Sequence, residues 1–169
     1  MSENLSKEFI DIFKKNQRIV HKVCRIYTDN SDDHEDLFQE IAIQLWKSFS
    51  SFKGNSKFST WMYKVALNTA ITLFKTNNRK NSFQKVEINV SSLNVKVENY
   101  EDDEYKIKEM YKHIYEMSDI EKALIMMYLD DKSYREIGEI LGITEGNARV
   151  KMNRAKNNLK LKINRKSNG

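Results

Sequence analysis

In 169 residues this chain has no proline and only five glycines. Proline removes a helix hydrogen bond, and glycine costs about 1 kcal/mol in a helix interior, so a chain this poor in both is free to run in long helices. Apolar periodicity points the same way. Phe9, Ile12, Phe13, Val20, Val23, Cys24 and Tyr27 keep a helical period and predict one amphipathic helix over 5–28. The stretch DNSDD breaks it. A second helix is predicted from Asp33 to Phe49, with Phe38, Ile41, Ala42, Leu45 and Phe49 as its buried stripe. The polar loop SSFKGNSKF then leads into a third helix over 60–75. No segment before residue 80 alternates as a strand does, so the N-terminal half reads as a helical bundle.

Residues 81–104, NSFQKVEINVSSLNVKVENYEDDE, change character. They are polar and lack a helical period, with local alternation at Val86, Ile88 and Val90. No other strand offers itself as a partner, so the stretch reads as an interdomain linker. Beyond it, Ile107, Met110, Tyr111 and Ile114 form an apolar helix face. Two capping boxes follow, Ser118–Glu121 and Ser133–Glu136, in which the serine accepts from a helix-start amide and the glutamate reaches back. Gly142 ends the helix begun at Ser133, Thr144 can cap the next, and Gly138 allows close packing. Helix, glycine turn and longer basic helix make a helix-turn-helix pattern. The expected fold is all-α: two small helical domains, 1–80 and 104–169, joined by a flexible linker at 81–103.

With 40% hydrophobic and 31% charged residues the composition is that of a soluble globular protein. No run approaches the roughly 20 apolar residues of a membrane span, and MSENLSKEFIDIF lacks the pattern of a signal peptide. Cys24 stands alone, which excludes an internal disulfide and fits a reducing cytoplasm. His21, His34 and His113 lack zinc-ligand spacing, so neither a metal nor a cofactor is expected.

The net charge of +5 is mild, but it is unevenly spread. Between Lys53 and Val86 there are seven Lys or Arg and no acid; between Arg149 and Lys166 there are eight and again no acid. Acids concentrate at Asp32 to Glu40 and at Glu98 to Glu104. Two basic blocks separated by acidic ones suggest two contacts with a polyanion and a different partner for the acidic surfaces. Solvated helix faces are the plainer explanation for either block taken alone.

On the last helix, Ala148, Met152, Ala155 and Leu159 share one face and should be buried. Opposite lie Gly146, Val150 and Asn153, flanked by Asn147, Arg149 and Arg154. An outward valine among arginines and amides suits a DNA major groove, where apolar groups touch thymine methyls, arginine reads guanine and asparagine reads adenine. A generic helical hairpin with a basic surface is the alternative. On the second helix Asp36, Glu40, Ile43 and Lys47 point away from the core stripe, with Asp33 and Gln39 beside them. Acids around an outward isoleucine suggest a protein interface. Metal binding by DDHED is disfavoured, because its carboxylates are consecutive and no second ligand cluster is present.

Together, DDHEDLFQEIAIQLW, FKGNSKFSTWMYKVALN and YREIGEILGITEGNARVKMNRAKNNL resemble an extracytoplasmic-function sigma factor. These are the small members of the bacterial sigma-70 family that retain only the second and fourth conserved regions. The resemblance covers residues 5–80 and 104–162. It implies that Asp33, Asp36, Gln39 and Glu40 dock on core RNA polymerase, with Ile43 at the centre of that face. It implies that Lys53, Asn55, Ser56, Lys57 and Phe58 form the loop that captures a flipped base of the −10 element. The helix bearing Trp61, Lys64 and Asn68 would face the −10 duplex and its melted strand, and the helix from Thr144 would read the −35 element. Core packing is the alternative for Trp61, which is in phase with Val65 and Ala66.

The physics of strand capture fits the middle segment. Opening a base step costs about 1.4 kcal/mol of stacking, and an aromatic platform returns roughly 1–3 kcal/mol per captured base. Lysines without neighbouring acids hold the freed backbone. Thr72 and Lys75 depart from the acid and arginine common late in that helix, which bears on the −10 preference. The function so implied is that of a cytoplasmic sigma factor that binds core polymerase, recognises −35 and −10 elements and starts strand opening. It would not itself be an enzyme, since the polymerase supplies the chemistry, and neither a small-molecule substrate nor membrane insertion is expected. Many relatives are held inactive by an anti-sigma factor, a further partner of this class. The rivals are a free-standing helix-turn-helix regulator and a magnesium-dependent nuclease using DDHED.

Overall fold

The computed structural model describes residues 3–80 and 101–167, with side chains over 3–73 and 105–165. Among the described residues there are seven α-helices and no strand. They are α1 (Glu3–Tyr27), α2 (Ser31–Phe49), α3 (Phe58–Lys80), α4 (Glu101–Tyr115), α5 (Asp119–Leu129), α6 (Tyr134–Leu141) and α7 (Glu145–Ser167). The chain divides into two compact units, Met1–Lys85 and Val86–Gly169. Most of the expected linker, 81–100, lies outside the described residues, while α4 begins at Glu101, inside the stretch assigned to it.

In the first unit α1, α2 and α3 pack pairwise against one another. Val20, Val23, Cys24 and Tyr27 of α1 meet Ile41 and Leu45 of α2 and Met62, Tyr63, Ala66 and Leu67 of α3 in a core almost closed to solvent. Burying each large aliphatic side chain of this kind stabilises by about 1.5–3 kcal/mol. The α2 stripe differs from the expected one. Leu37, Ile41, Leu45 and Phe49 are buried, whereas Phe38 and Ala42 are only half-buried. Helical periodicity alone does not separate the two positions; the way α2 packs on α1 turns Leu37 inward and leaves Phe38 at the edge. There Phe38 stacks on His21, with centroids 4.6 Å apart. Phe9 closes the other end of the bundle against Trp46 and Phe49, at 5.1 and 5.2 Å. Asn30 starts α2: its side chain accepts the Asp33 amide at 2.8 Å, as an N-cap does.

In the second unit α7 is the common partner of α4, α5 and α6. Both capping boxes form. Ser118 and Glu121 satisfy each other's backbone amides at the start of α5, and Ser133 and Glu136 do so at the start of α6. Ile114, Leu124, Met127, Ile137 and Met152 fill the core. The capped Glu121 also accepts from the side-chain amide of Asn158 at 2.8 Å, tying α5 to α7. Burial works to raise its pKa, but the bonds from Asn158 and Ser118 outweigh this and hold the carboxyl below its usual range.

Candidate functional site

The turn between α6 and α7 is set by backbone alone. Gly142 caps α6 in the left-handed region, φ 69°, and the Ile143 amide returns to the Gly138 carbonyl at 2.9 Å. A side chain at Gly138 would put its Cβ 2.7 Å from the Ile143 carbonyl oxygen, so only glycine lets the turn fold this tightly. Thr144 then caps α7, its hydroxyl accepting from the Asn147 amide at 3.1 Å. These contacts fix the start of α7 and the direction in which it faces outward.

Ala148, Met152 and Ala155 are buried, and Leu159, expected with them, is half-buried near the far end. Thr144, Gly146, Asn147, Arg149, Val150, Asn153 and Arg154 are all exposed. At about 100° per residue, those within α7 span roughly 160° of its circumference, a continuous outward face. Val150 at its centre is 48% exposed. Arg149 lies over the Tyr134 ring, 4.8 Å from its centroid, and Nη2 is 3.5 Å from Glu145 Oε1. The face offers guanidinium and amide groups around an apolar centre, the mixture that base edges and thymine methyls match in a major groove.

In the first unit, Asp33, Asp36, Gln39, Glu40 and Ile43 fall on one side of α2, away from the Leu37–Ile41–Leu45 stripe. They are not equally available. Asp33 accepts from the Asn30 side chain at 2.8 Å, and Glu40 accepts from Gln44 at 2.8 Å. Asp36, Gln39 and Ile43 are exposed, Ile43 by 45%. An acidic rim thus surrounds an exposed isoleucine, a combination of charge and apolar centre also found at protein interfaces.

The loop before α3 is built on aromatic rings. Phe58, the first residue of α3, packs 5.5 Å from Phe52 and 5.3 Å from Trp61, and Phe52 lies 5.1 Å from Trp61. Phe49 at the end of α2 backs the group, 6.3 Å from Phe58 and 6.5 Å from Trp61. Phe52, Phe58 and Trp61 remain half-buried, so the cluster presents ring surface as well as anchoring the turn. Around it Lys53, Asn55 and Lys57 are exposed and Ser56 is half-buried, with Gly54 at φ 72° making the bend. Lys64 and Asn68 continue the exposed side of α3 beyond Trp61, while Val65 is half-buried and Met62, Tyr63, Ala66 and Leu67 fill the core side.

The model of sigma-70 region 2 matches residues 12–80 and that of sigma-70 region 4 matches residues 111–159. The chain belongs to the sigma-70 family. Among relatives of this sigma factor, the ECF RNA polymerase sigma-E factor of Haemophilus influenzae is 27% identical over 164 residues, covering 86% of this chain and 84% of that one. Its Escherichia coli K12 counterpart is 26% identical over the same length, with 83% of its own length covered. Two solved structures share the fold. The sigma factor RpoE of Bartonella quintana, crystallised with the anti-sigma factor NepR, superposes with a TM-score of 0.71 at 18% identity, covering 91% of this chain and 95% of that one. CnrH, solved with the cytosolic domain of CnrY, gives a TM-score of 0.67 at 13% identity, covering 94% and 89%. As a family member this chain is a promoter-recognising sigma factor for RNA polymerase.

Two features of the sigma factor escaped sequence reasoning. Phe52 joins the aromatic turn, although a lone aromatic in a polar loop gives no periodic signal. His21 and His34 meet with Nδ1 and Nε2 3.1 Å apart, although they stand thirteen residues apart on different helices. Only the packing of α1 on α2 brings them together. Among the described residues no group of three or more metal-ligating side chains is present, and no helix is long and apolar enough to cross a membrane.

Proposed function

We propose that this sigma factor divides promoter recognition between its two units. Residues 1–80 dock on core RNA polymerase through Asp33, Asp36, Gln39, Glu40 and Ile43. The same region engages the −10 element through Lys53, Asn55, Ser56, Lys57 and Phe58 in the loop and Trp61, Lys64 and Asn68 on α3. Residues 104–169 present Thr144, Gly146, Asn147, Arg149, Val150, Asn153 and Arg154 to the major groove of the −35 element, with 81–103 as the linker between them. The observation that carries this reading is the outward face of α7, where Val150 stands exposed among Arg149, Asn153 and Arg154 on a helix whose other face is core.

The chain acts as a cytoplasmic initiation factor, and the polymerase supplies the phosphoryl transfer. The complex of similar fold with the anti-sigma factor NepR supports an anti-sigma factor as a further partner. The test is co-elution of the purified protein with bacterial core RNA polymerase on a sizing column, followed by promoter binding of the complex. A stoichiometric complex is expected. A homodimer that binds duplex DNA alone and ignores the polymerase would overturn the assignment in favour of a free-standing regulator.

A further inference from the structure

Arg149 is held from two sides by residues outside the recognition set. Glu145, one helical turn earlier on α7, has Oε1 3.5 Å from Nη2. Tyr134, the first residue of α6, lies beneath the guanidinium carbon at 4.8 Å from its ring centroid. The two contacts restrain different parts of the group. A guanidinium is a planar fork with five N–H donors, able to lay its face on a ring while an edge meets a carboxylate. Here the guanidinium carbon sits over the ring and Glu145 meets one amino group. Among the described residues Nη1 and Nε have no hydrogen-bond partner, which leaves donors for an incoming acceptor.

Glu145 is otherwise out of place. From Arg149 to Lys166 α7 carries no acid, and a carboxylate on a surface facing phosphates repels them. An acid in the first turn does favour the helix dipole, but that explains only the charge, not the reach to Arg149. As an ion pair exposed on both sides, 57% and 55%, the contact adds little to folding. What it supplies is orientation. An unrestrained arginine loses rotamer freedom on meeting a base, and a side chain already held in place loses less.

The geometry points to Tyr134 and Glu145 as positioning residues that pre-set Arg149 to read one guanine of the −35 element. This rests on the placement of α7 in the −35 major groove proposed above. The brace sharpens base preference at one position, because it favours the guanidinium orientation that meets guanine O6 and N7. It leaves the phosphate contacts, and with them the salt dependence of binding, unchanged.

The experiment uses the full chain bound to core RNA polymerase and a set of promoters, each with one −35 base pair replaced. Arg149→Ala is expected to flatten preference at a single base pair by about tenfold. Glu145→Asp keeps the first-turn charge but is one methylene shorter, and Tyr134→Leu removes the ring face. Each is expected to relax preference at that same base pair by roughly two- to tenfold, with an unchanged salt slope. Tyr134→Phe, which keeps the ring, restores the preference, and in an Arg149→Ala background neither brace variant has a further effect at that position. Glu145 is exposed, so Glu145→Asp decides the matter even if Tyr134→Leu fails to fold. The proposal is overturned if Arg149→Ala loses base preference while Glu145→Asp keeps it. It is equally overturned if the Glu145→Asp loss maps to a different base pair, which would make Glu145 a base reader itself. If Arg149→Ala costs nothing at any −35 position, the placement of α7 falls and the brace with it.

Discussion

The imidazoles of His21 and His34 meet nitrogen to nitrogen at 3.1 Å, joining the C-terminal third of α1 to the first turn of α2. One ring donates and the other accepts, so the accepting ring must be neutral. Burial comes first in holding both below the ordinary value of 6.5, with Arg25 acting the same way on each. The charge of His21 lowers His34 further, and Glu35 opposes it. Phe38 covers the face of His21.

The stability of the first unit should therefore fall in mild acid. With both folded values depressed, the unfolded chain takes up these protons first, at about 6.5. The stabilisation from the neutral pair is complete above that pH and is lost as pH falls through the lower folded values. Denaturant melts between about pH 7 and pH 5 should show the decline, and His21→Gln with His34→Gln should flatten it. An equal slope in the double variant would place the acid sensitivity elsewhere.

Gly138→Ala should destabilise the second unit by about 1–3 kcal/mol, the range for forcing an extra group into close packing. Its Cβ would stand 2.7 Å from the Ile143 carbonyl oxygen, and that neighbour is backbone, which cannot turn aside. For a unit of this size the loss lowers the melting temperature by several degrees per kcal/mol, measurable by circular dichroism. An unchanged melt would mean that the α6–α7 turn relaxes freely.

Asn158→Ala should cost about 1–2 kcal/mol by removing the 2.8 Å bond to Glu121, since hydrogen bonds to charged groups exceed neutral ones. Part of that loss should vanish in acid. The folded carboxyl of Glu121 is held below 4.5, so its stabilisation is present above that value and disappears as pH drops through the lower folded value. Wild type and variant melts should converge there.

Asp36→Lys combined with Glu40→Lys should leave the helical signal intact and weaken binding to core polymerase by tenfold or more, on the order of 1.4 kcal/mol. Asp36 is exposed, and Glu40 accepts one bond from its neighbour Gln44, so neither replacement touches the core. Titration against core polymerase measures the loss; undiminished affinity would remove this face from the interface.

Trp61 can report on strand capture. With Trp46→Phe it is the sole indole, since the chain has two tryptophans. Its ring is half-buried beside Phe52 and Phe58, and a base stacking on the cluster should quench its fluorescence when the polymerase complex binds single-stranded −10 DNA. Constant emission on binding would confine the indole to packing.

The helix starts were legible because their determinants are local. Ser118 and Ser133 each announce a cap with a glutamate three residues on, and both boxes form. The outward face of α7 was legible for the same reason, as its periodicity needs no knowledge of neighbours. Where side chains from distant positions meet, the signal fades. Phe38 and Leu37 are adjacent and both apolar, and only the rotation of α2 against α1 decides that Leu37 turns inward. Phe58 and Trp61 look like candidates for base contact or for core, and each is half-buried in a ring cluster that serves to shape the loop. The brace on Arg149 lies between these extremes: the i, i+4 glutamate could be seen in the sequence, while Tyr134 reaches it only through the turn at Gly142.

On α7 the residues that fold the unit and the residues that face outward occupy separate positions. Ala148, Met152 and Ala155 secure the helix, while Gly146, Val150 and Asn153 touch nothing in the core. Exposed replacements of this kind usually shift stability by less than about 0.5 kcal/mol. A duplicated gene could therefore alter its outward face one residue at a time without passing through an unfolded product. The angle at which that face is offered would stay the same throughout, because two glycines and a backbone carbonyl hold it. In evolutionary terms the turn is the conservative part and the helix surface the freely varied one, which suits a scaffold that can diversify into many promoter specificities.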